Sequence, residues 1–442
     1  MNESLGRVLI WLAALALPFH AFDVPIQPAE LLALPLIAWS LVRPVRGAPF
    51  RLVALDLGFL CWTGGVLVAT GVALARGLPA LAMAREAAVA IFLASLYGAI
   101  RTLQAVGRQE ALRALVVGAV LAGALGCFGV MAGQVGWRTP LAFPTDTPYP
   151  YLARAGRATA FTTTPAMLAS VEMMAVLLLV SGVVRFERKR QVAAGFVVGT
   201  GFALTLSKTL LPLVAGVLVV RALSAGGARR WRLCATATLA AGVAYGAFSH
   251  VAILDESAAR DSLREGLYMA GDPMFEVTLG ERQFVALRTS YFFNKQASIE
   301  AIRRSFPLGI GPGRQPSFAA GLKDEGLYPK GRMADAPHST YTGTLAELGL
   351  PGALGLMAFA VTGFRTLRER FAGGRRGTPL DVAAAGMAAA VLIEAIATDV
   401  THFRHYVWLV ALFASGVSAG EGALAQRLEG HDADSGREVQ RA

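Results

Sequence analysis

This sequence is short of charge. Charged residues make up 16% of its 442 positions, against roughly 25% in soluble domains. With 55% hydrophobic residues, too little polarity remains to cover a water-facing surface, which excludes a soluble globular enzyme and calls for a bilayer as second solvent. Cysteine is almost missing. Cys61, Cys127 and Cys234 all lie in apolar runs without paired spacing, so neither a disulfide framework nor a zinc site is expected. Acids are outnumbered, 30 Asp and Glu against 41 Lys and Arg, for a net charge of +11. An excess of that kind points to nucleic acid, an anionic substrate or anionic lipid, and the positions of the charges decide among them.

What the sequence has in quantity is apolar runs near the length that crosses about 30 Å of hydrocarbon. They stand at roughly 5–21, 29–42, 55–74, 81–100, 111–133, 165–184, 191–206, 209–223, 232–252, 341–363, 380–400 and 405–425, several of them short. The first run follows a single Arg7 like a secretory signal, but no small-x-small cleavage site precedes Asp23, so it is kept as a span. Lys and Arg are retained on the cytoplasmic side of spans, and twelve spans with both termini cytoplasmic satisfy that rule. Arg43, Arg46 and Arg51, then Arg185, Arg188, Lys189 and Arg190, then Arg365, Arg368, Arg370, Arg375 and Arg376 all fall inside. The short outer connections hold only Arg76, Arg138, Arg154, Arg157, Lys208 and Arg404. Most of the basic excess is therefore topological, and no nucleic-acid partner is expected.

Two outer connections are long. Residues 134–164 are rich in Pro, Thr and aromatics, and residues 253–340 include Arg260, Arg264, Arg282, Arg288, Lys295, Arg303, Arg304, Arg314, Lys323, Lys330 and Arg332. Long loops in compact proteins are usually functional or disordered. Here Phe275, Phe284, Tyr291, Phe292, Phe293, Ile299, Ile302 and Phe306 supply apolar residues at helix-like spacing, so an extramembrane helical module is expected. The fold class is all-α: a polytopic membrane protein of about twelve transmembrane helices with a large helical periplasmic loop. Residues 1–252 carry the first nine spans, 253–340 the large loop and its chemistry, 341–425 the last three spans, and 426–442 a polar cytoplasmic tail. No repeat and no two-half symmetry of the transporter kind is evident.

His338 stands where the large loop returns to the membrane, and imidazole there is a candidate base for a hydroxyl nucleophile; a histidine bonded at a helix start is the alternative. Glu347 lies inside the following span, as a packing carboxylate or a functional intramembrane acid. Phe306-Pro307-Leu308-Gly309-Ile310-Gly311-Pro312-Gly313-Arg314 is a Gly/Pro turn whose backbone can approach a ligand or simply end a helix; it lacks the glycine spacing of a phosphate loop. Arg288, Arg303, Arg304 and Arg314 share the loop with His338, and Arg157 and Lys208 lie in other outer segments. Guanidinium forks suit pyrophosphate oxygens. Lys208 sits between two spans and must snorkel outward or meet an anion. Arg85 and Glu86 fall inside the fourth run, as structural partners of neighbouring helices or, for Arg85, as a phosphate ligand. No metal is expected: Asp432-Ala433-Asp434 is isolated in the tail, and His402 and His405 lack a completing set beyond Asp399, which leaves them a membrane-surface role.

These motifs resemble those of the O-antigen ligase and O-antigen polymerase superfamily of bacterial inner-membrane proteins. The similarity rests on Pro307 to Gly313, His338-Ser339-Thr340-Tyr341 and Glu347 to Gly352, with looser matches at Arg157 to Pro165 and at Ser207-Lys208, where the family more often has Ser-Arg. The resemblance implies transfer of a glycan from undecaprenyl pyrophosphate to an acceptor at the periplasmic face, with no cofactor and no metal. His338 would be the base, with Arg288 beside it as a catalytic residue, and Arg288, Arg314, Lys208, Arg157 and Arg85 would bind pyrophosphate. One dominant loop and 442 residues are more similar to a ligase, whose acceptor is lipid A-core, than to an O-antigen polymerase or a protein O-oligosaccharyltransferase. The rival of another class is a secondary transporter or lipid flippase, which predicts more mid-membrane polar residues and a modest outer loop.

Overall fold

A computed structural model describes residues 3–19, 28–42, 52–102, 105–143, 156–162, 164–226, 230–266, 275–280, 282–372, 377–401 and 404–417. Helices α1 (Glu3–Ala16), α2 (Pro28–Val42), α3 (Ala54–Ala75), α4 (Ala80–Arg101) and α5 (Ala105–Gln134) lead to a small ribbon of β1 (Ala142–Phe143) and β2 (Arg157–Ala158). Helices α6 (Pro165–Val180), α7 (Arg188–Leu204), α8 (Leu210–Ala225) and α9 (Arg230–His250) follow. Next come β3 (Val251–Asp255), α10 (Glu256–Arg264), β4 (Phe275–Leu279), β5 (Arg282–Arg288), α11 (Ser290–Ser305) and α12 (Gln315–Asp324). Helices α13 (Thr340–Arg370), α14 (Pro379–Glu394) and α15 (404–417) complete the described chain.

A helix stands at each of the twelve apolar runs. Among the described residues α3, α4, most of α5 and α13 are long and apolar enough to cross a membrane unaided, while α1, α2, α6 and α8 are apolar but shorter. The protein is thus predominantly helical and membrane-embedded. Local chemistry starts these helices where they start. The Thr164 hydroxyl accepts from Met167 N at 3.2 Å with Pro165 in the first turn of α6, and Thr378 and Asp381 form a reciprocal capping box on α14. Helix α6 is buried on nearly every side, Ser170 and Glu172 included, as expected of a central helix.

The tightest contact joins α3 to α13. A Cβ on Gly65 would lie 2.5 Å from the Pro351 carbonyl oxygen, and one on Gly355 2.7 Å from that of Cys61, so the two backbones touch in the manner of small-residue membrane interfaces. Further bonds hold the two ends of α3. At one, Asp56 accepts from the Tyr97 hydroxyl at 2.6 Å and from Arg101 Nε and Nη2 at 2.6 and 2.7 Å. At the other, Arg76 donates to the Gly309 carbonyl at 2.6 Å.

The large outer segment departs from the helical module that its apolar spacing predicts. Residues 275–279 and 282–288 form strands, and α11 begins only at Ser290. Strand β5 is central and antiparallel to both β3 and β4, with Ala286 opposite Ile253 on one side and Phe275 on the other. Phe275-Glu276-Val277-Thr278-Leu279 alternates with period two, the strand signature, and Gly280 turns the chain at φ 64°. That short-range alternation overrides the longer-range spacing of the aromatics.

Candidate functional site

Helix α13 breaks at Gly349, which has φ 63° and ψ −155°, and Pro351 has no N–H to donate to Glu347. The carbonyls of Ala346 and Glu347 are thereby freed, and the Gly/Pro turn takes them up: Ile310 N donates to Ala346 at 2.8 Å and Gly311 N to Glu347 at 3.0 Å. Leu350 N returns a bond to the Pro307 carbonyl at 2.8 Å. The Glu347 carboxylate accepts from Gly313 N at 3.2 Å and Gln315 N at 2.8 Å, capping the N-terminus of α12, where negative charge is favoured. Glu347 therefore fastens the turn to the helix. Arg314, the N-cap residue of α12 and half-buried, belongs to this turn.

At its start α13 carries the second group. Ser339 Oγ donates to the Ala395 carbonyl at 3.3 Å, Thr340 N reaches Ala395 and Thr398 carbonyls at 3.0 and 3.2 Å, and Val400 N donates to Thr340 Oγ1 at 2.9 Å. These bonds over-determine the corner and hold His338 at φ 48°, a left-handed conformation uncommon for a residue with a side chain. The imidazole remains partly open, 28% exposed, with Nε2 3.8 Å from Asp335 Oδ2, ion-pair reach but longer than a hydrogen bond. The His338 imidazole holds the Asp335 carboxyl below the usual carboxylate range. The Tyr291 ring, from the first turn of α11, lies 4.8 Å from the imidazole between centroids.

Two cations reach the same tyrosine from other segments. Lys208 Nζ stands 5.3 Å from the Tyr291 centroid and donates to the Phe248 carbonyl at 2.7 Å. Arg157, on β2, donates from Nε to Thr205 O at 2.7 Å and from Nη2 to Leu206 O at 3.3 Å, which ties it to the turn carrying Lys208. Burial draws the Lys208 ammonium below its ordinary range and the neighbouring Arg157 adds to the effect. Burial lowers Arg157 too, opposed by Tyr291, and raises the Tyr291 phenol. One turn along α11, burial pushes Lys295 down to about 8. Desolvated cations grouped beside an open imidazole suit an anionic ligand next to a proton acceptor.

The remaining predicted residues are distributed differently. Arg288 ends β5 with its guanidinium 4.6 Å from the Phe292 centroid, on the residue that follows Tyr291. Arg314 sits with the Gly/Pro turn, beside Glu347 and about two helical turns along α13 from Thr340. Arg85 is exposed on α4; its neighbour Glu86 is the one that faces the turn, near Gly313. Arg303 and Arg304 pair with Glu300, and Arg304 also with Glu325. His405 is buried against Tyr406 rather than at a surface. His402, Asp432 and Asp434 lie outside the described residues. Among the described residues no three His, Cys, Asp or Glu side chains gather as a metal site would need. Sequence reasoning missed Asp335, although Asp335-x-x-His338 is a readable spacing, and took Tyr291 only as an apolar helix position. No protein-family model matches the chain, and no curated protein matches it significantly.

Proposed function

We propose that the protein is a membrane glycosyltransferase of the O-antigen ligase kind, which moves a glycan from undecaprenyl pyrophosphate to a sugar hydroxyl of lipid A-core at the periplasmic face of the bacterial inner membrane. The observation that carries the reading is the meeting of His338, Tyr291, Lys208 and Arg157, from four distant stretches of chain, at one end of an apolar helical bundle. In this reading His338 takes the proton of the acceptor hydroxyl as its oxygen attacks the anomeric carbon. The bond from the anomeric carbon to pyrophosphate breaks, its electron pair leaves on the phosphate oxygen, and a single displacement inverts the centre. Lys208 and Arg157 offset the charge that develops on the leaving group, as preorganised cations in a desolvated site do. Arg288 and Arg314 extend the basic surface toward the donor.

The test is transfer by the purified protein, with EDTA present, from a polyprenyl-pyrophosphate glycan to lipid A-core. One shifted product is expected. A ladder from donor alone would make the protein a polymerase, glycosylation of a protein acceptor an oligosaccharyltransferase, and flux into liposomes without covalent product a transporter or flippase.

A further inference from the structure

The outer sheet has two unlike faces. On one, Leu254, Val285 and Leu287 pack with Ala259 of α10 into a small closed cluster. The alternate residues point the other way, and the register gathers them: Ile253 and Phe275 flank Ala286, and Val277 lies beside Phe284. This second face is open, with Ile253 59%, Phe275 50% and Val277 36% exposed. A face that met water would carry polar residues, as antiparallel sheets with one solvated side do. Here the polar residues of β4, Glu276 and Thr278, fall on the α10 side instead and are exposed there.

The sheet is also rooted at the end of α9. Strand β3 begins at Val251, the residue after α9 ends. The exit of β5 is tied to the same helix tip, where Thr289 N donates to the His250 carbonyl at 3.0 Å and Thr289 Oγ1 donates to that of Ser249. Exposed apolar residues run along α9 at Leu239, Val243 and Phe248 and continue into Ile253. The exposed apolar residues of α9 thus lead along the chain into the open face of the sheet, whose polar residues Asp255 and Arg288 stand at its two ends, opposite Phe284 and Val251.

We propose that this face rests on phospholipid at the outer surface of the bilayer, with Ile253, Phe275 and Val277 among the upper acyl chains and Glu276 and Thr278 in water. Exposed apolar patches of soluble regions mark contact sites, and with α9 as a span the bilayer is the apolar phase this patch continues into. The proposal rests on α9 being a span and is independent of the reaction.

The full-length protein in phospholipid nanodiscs would carry a benzophenone amino acid in place of Phe275, Val277 or Thr278, each checked for a monodisperse gel-filtration peak. After irradiation, peptides would be read by mass spectrometry. The expected result is a mass gain of one phospholipid on peptides carrying position 275 or 277, and none on those carrying position 278. Either of the first two suffices if the other variant does not fold. Equal lipid labelling at 278, no lipid adduct at 275 or 277, or adducts made only to a second copy of the chain would overturn it.

Discussion

Replacing Glu347 by alanine separates a fastening carboxylate from a chemical one. Its two oxygens accept the Gly313 and Gln315 amides at 3.2 and 2.8 Å, and a hydrogen bond to a charged acceptor contributes about 1.5–3 kcal/mol. The longer bond is exposed and the shorter part-buried, so the pair together hold the turn by about 2–4 kcal/mol. Because a tenfold change corresponds to about 1.4 kcal/mol, Glu347→Ala should speed hydrogen exchange at Gly313 and Gln315 by roughly 30- to 1,000-fold if these amides exchange by local opening. Glu347→Gln retains one acceptor oxygen, now uncharged, and should lose more than half of that protection but less than Glu347→Ala. Exchange in the helical part of α11 should stay unchanged. Transfer would fall in step with the opening of the turn. Unchanged exchange at Gly313 and Gln315 together with abolished transfer would refute the argument and make Glu347 part of the chemistry.

Three further outcomes follow from the same geometry. Gly349→Ala should lower thermal stability by about 2 kcal/mol or more, because the backbone there is in a conformation that costs other residues about 1–3 kcal/mol and the new Cβ would lie 2.4 Å from the Pro307 carbonyl oxygen; an unchanged melting curve would contradict the break at that residue. Lys208→Ala should weaken binding of a polyprenyl pyrophosphate, measured by titration in nanodiscs, while Lys208→Arg restores it through the bidentate fork; equal binding by all three forms would remove Lys208 from the donor site. Asp335 has a folded-state pKa below the unfolded value of about 3.9, so its stabilising contribution is complete above about pH 4 and is lost as pH falls through the lower folded value. Acid unfolding followed by fluorescence should show that component in the native chain and not in Asp335→Asn; identical acid transitions would contradict the Asp335–His338 pairing.

The helices were legible because burial in lipid needs long apolar runs, and runs are a local property of sequence. The strands at 275–288 were not, since aromatics spaced for a helix across 275–306 concealed the two-residue alternation within each short segment. At the site, His338, Lys208 and Arg157 could each be singled out, as cations or a proton acceptor at apolar boundaries. Their meeting could not, because it depends on how Tyr291 packs between the 205–209 turn and the start of α13, a tertiary contact with no local pattern. The same cause separates Arg314 from His338: both belong to one loop in sequence, yet the break at Gly349 seats the Gly/Pro turn further along α13. Arg85 stood out for lying in an apolar run, but helix phase turns Glu86 to the turn and leaves Arg85 exposed.

The most direct measurement is single-turnover transfer from a polyprenyl-pyrophosphate glycan to lipid A-core by the native protein and by His338→Ala, with donor binding measured on both. The account predicts one product from the native chain, loss of that product by at least about 100-fold in the variant, as removal of a general base gives, and donor binding that is largely retained. Normal transfer by His338→Ala would contradict it.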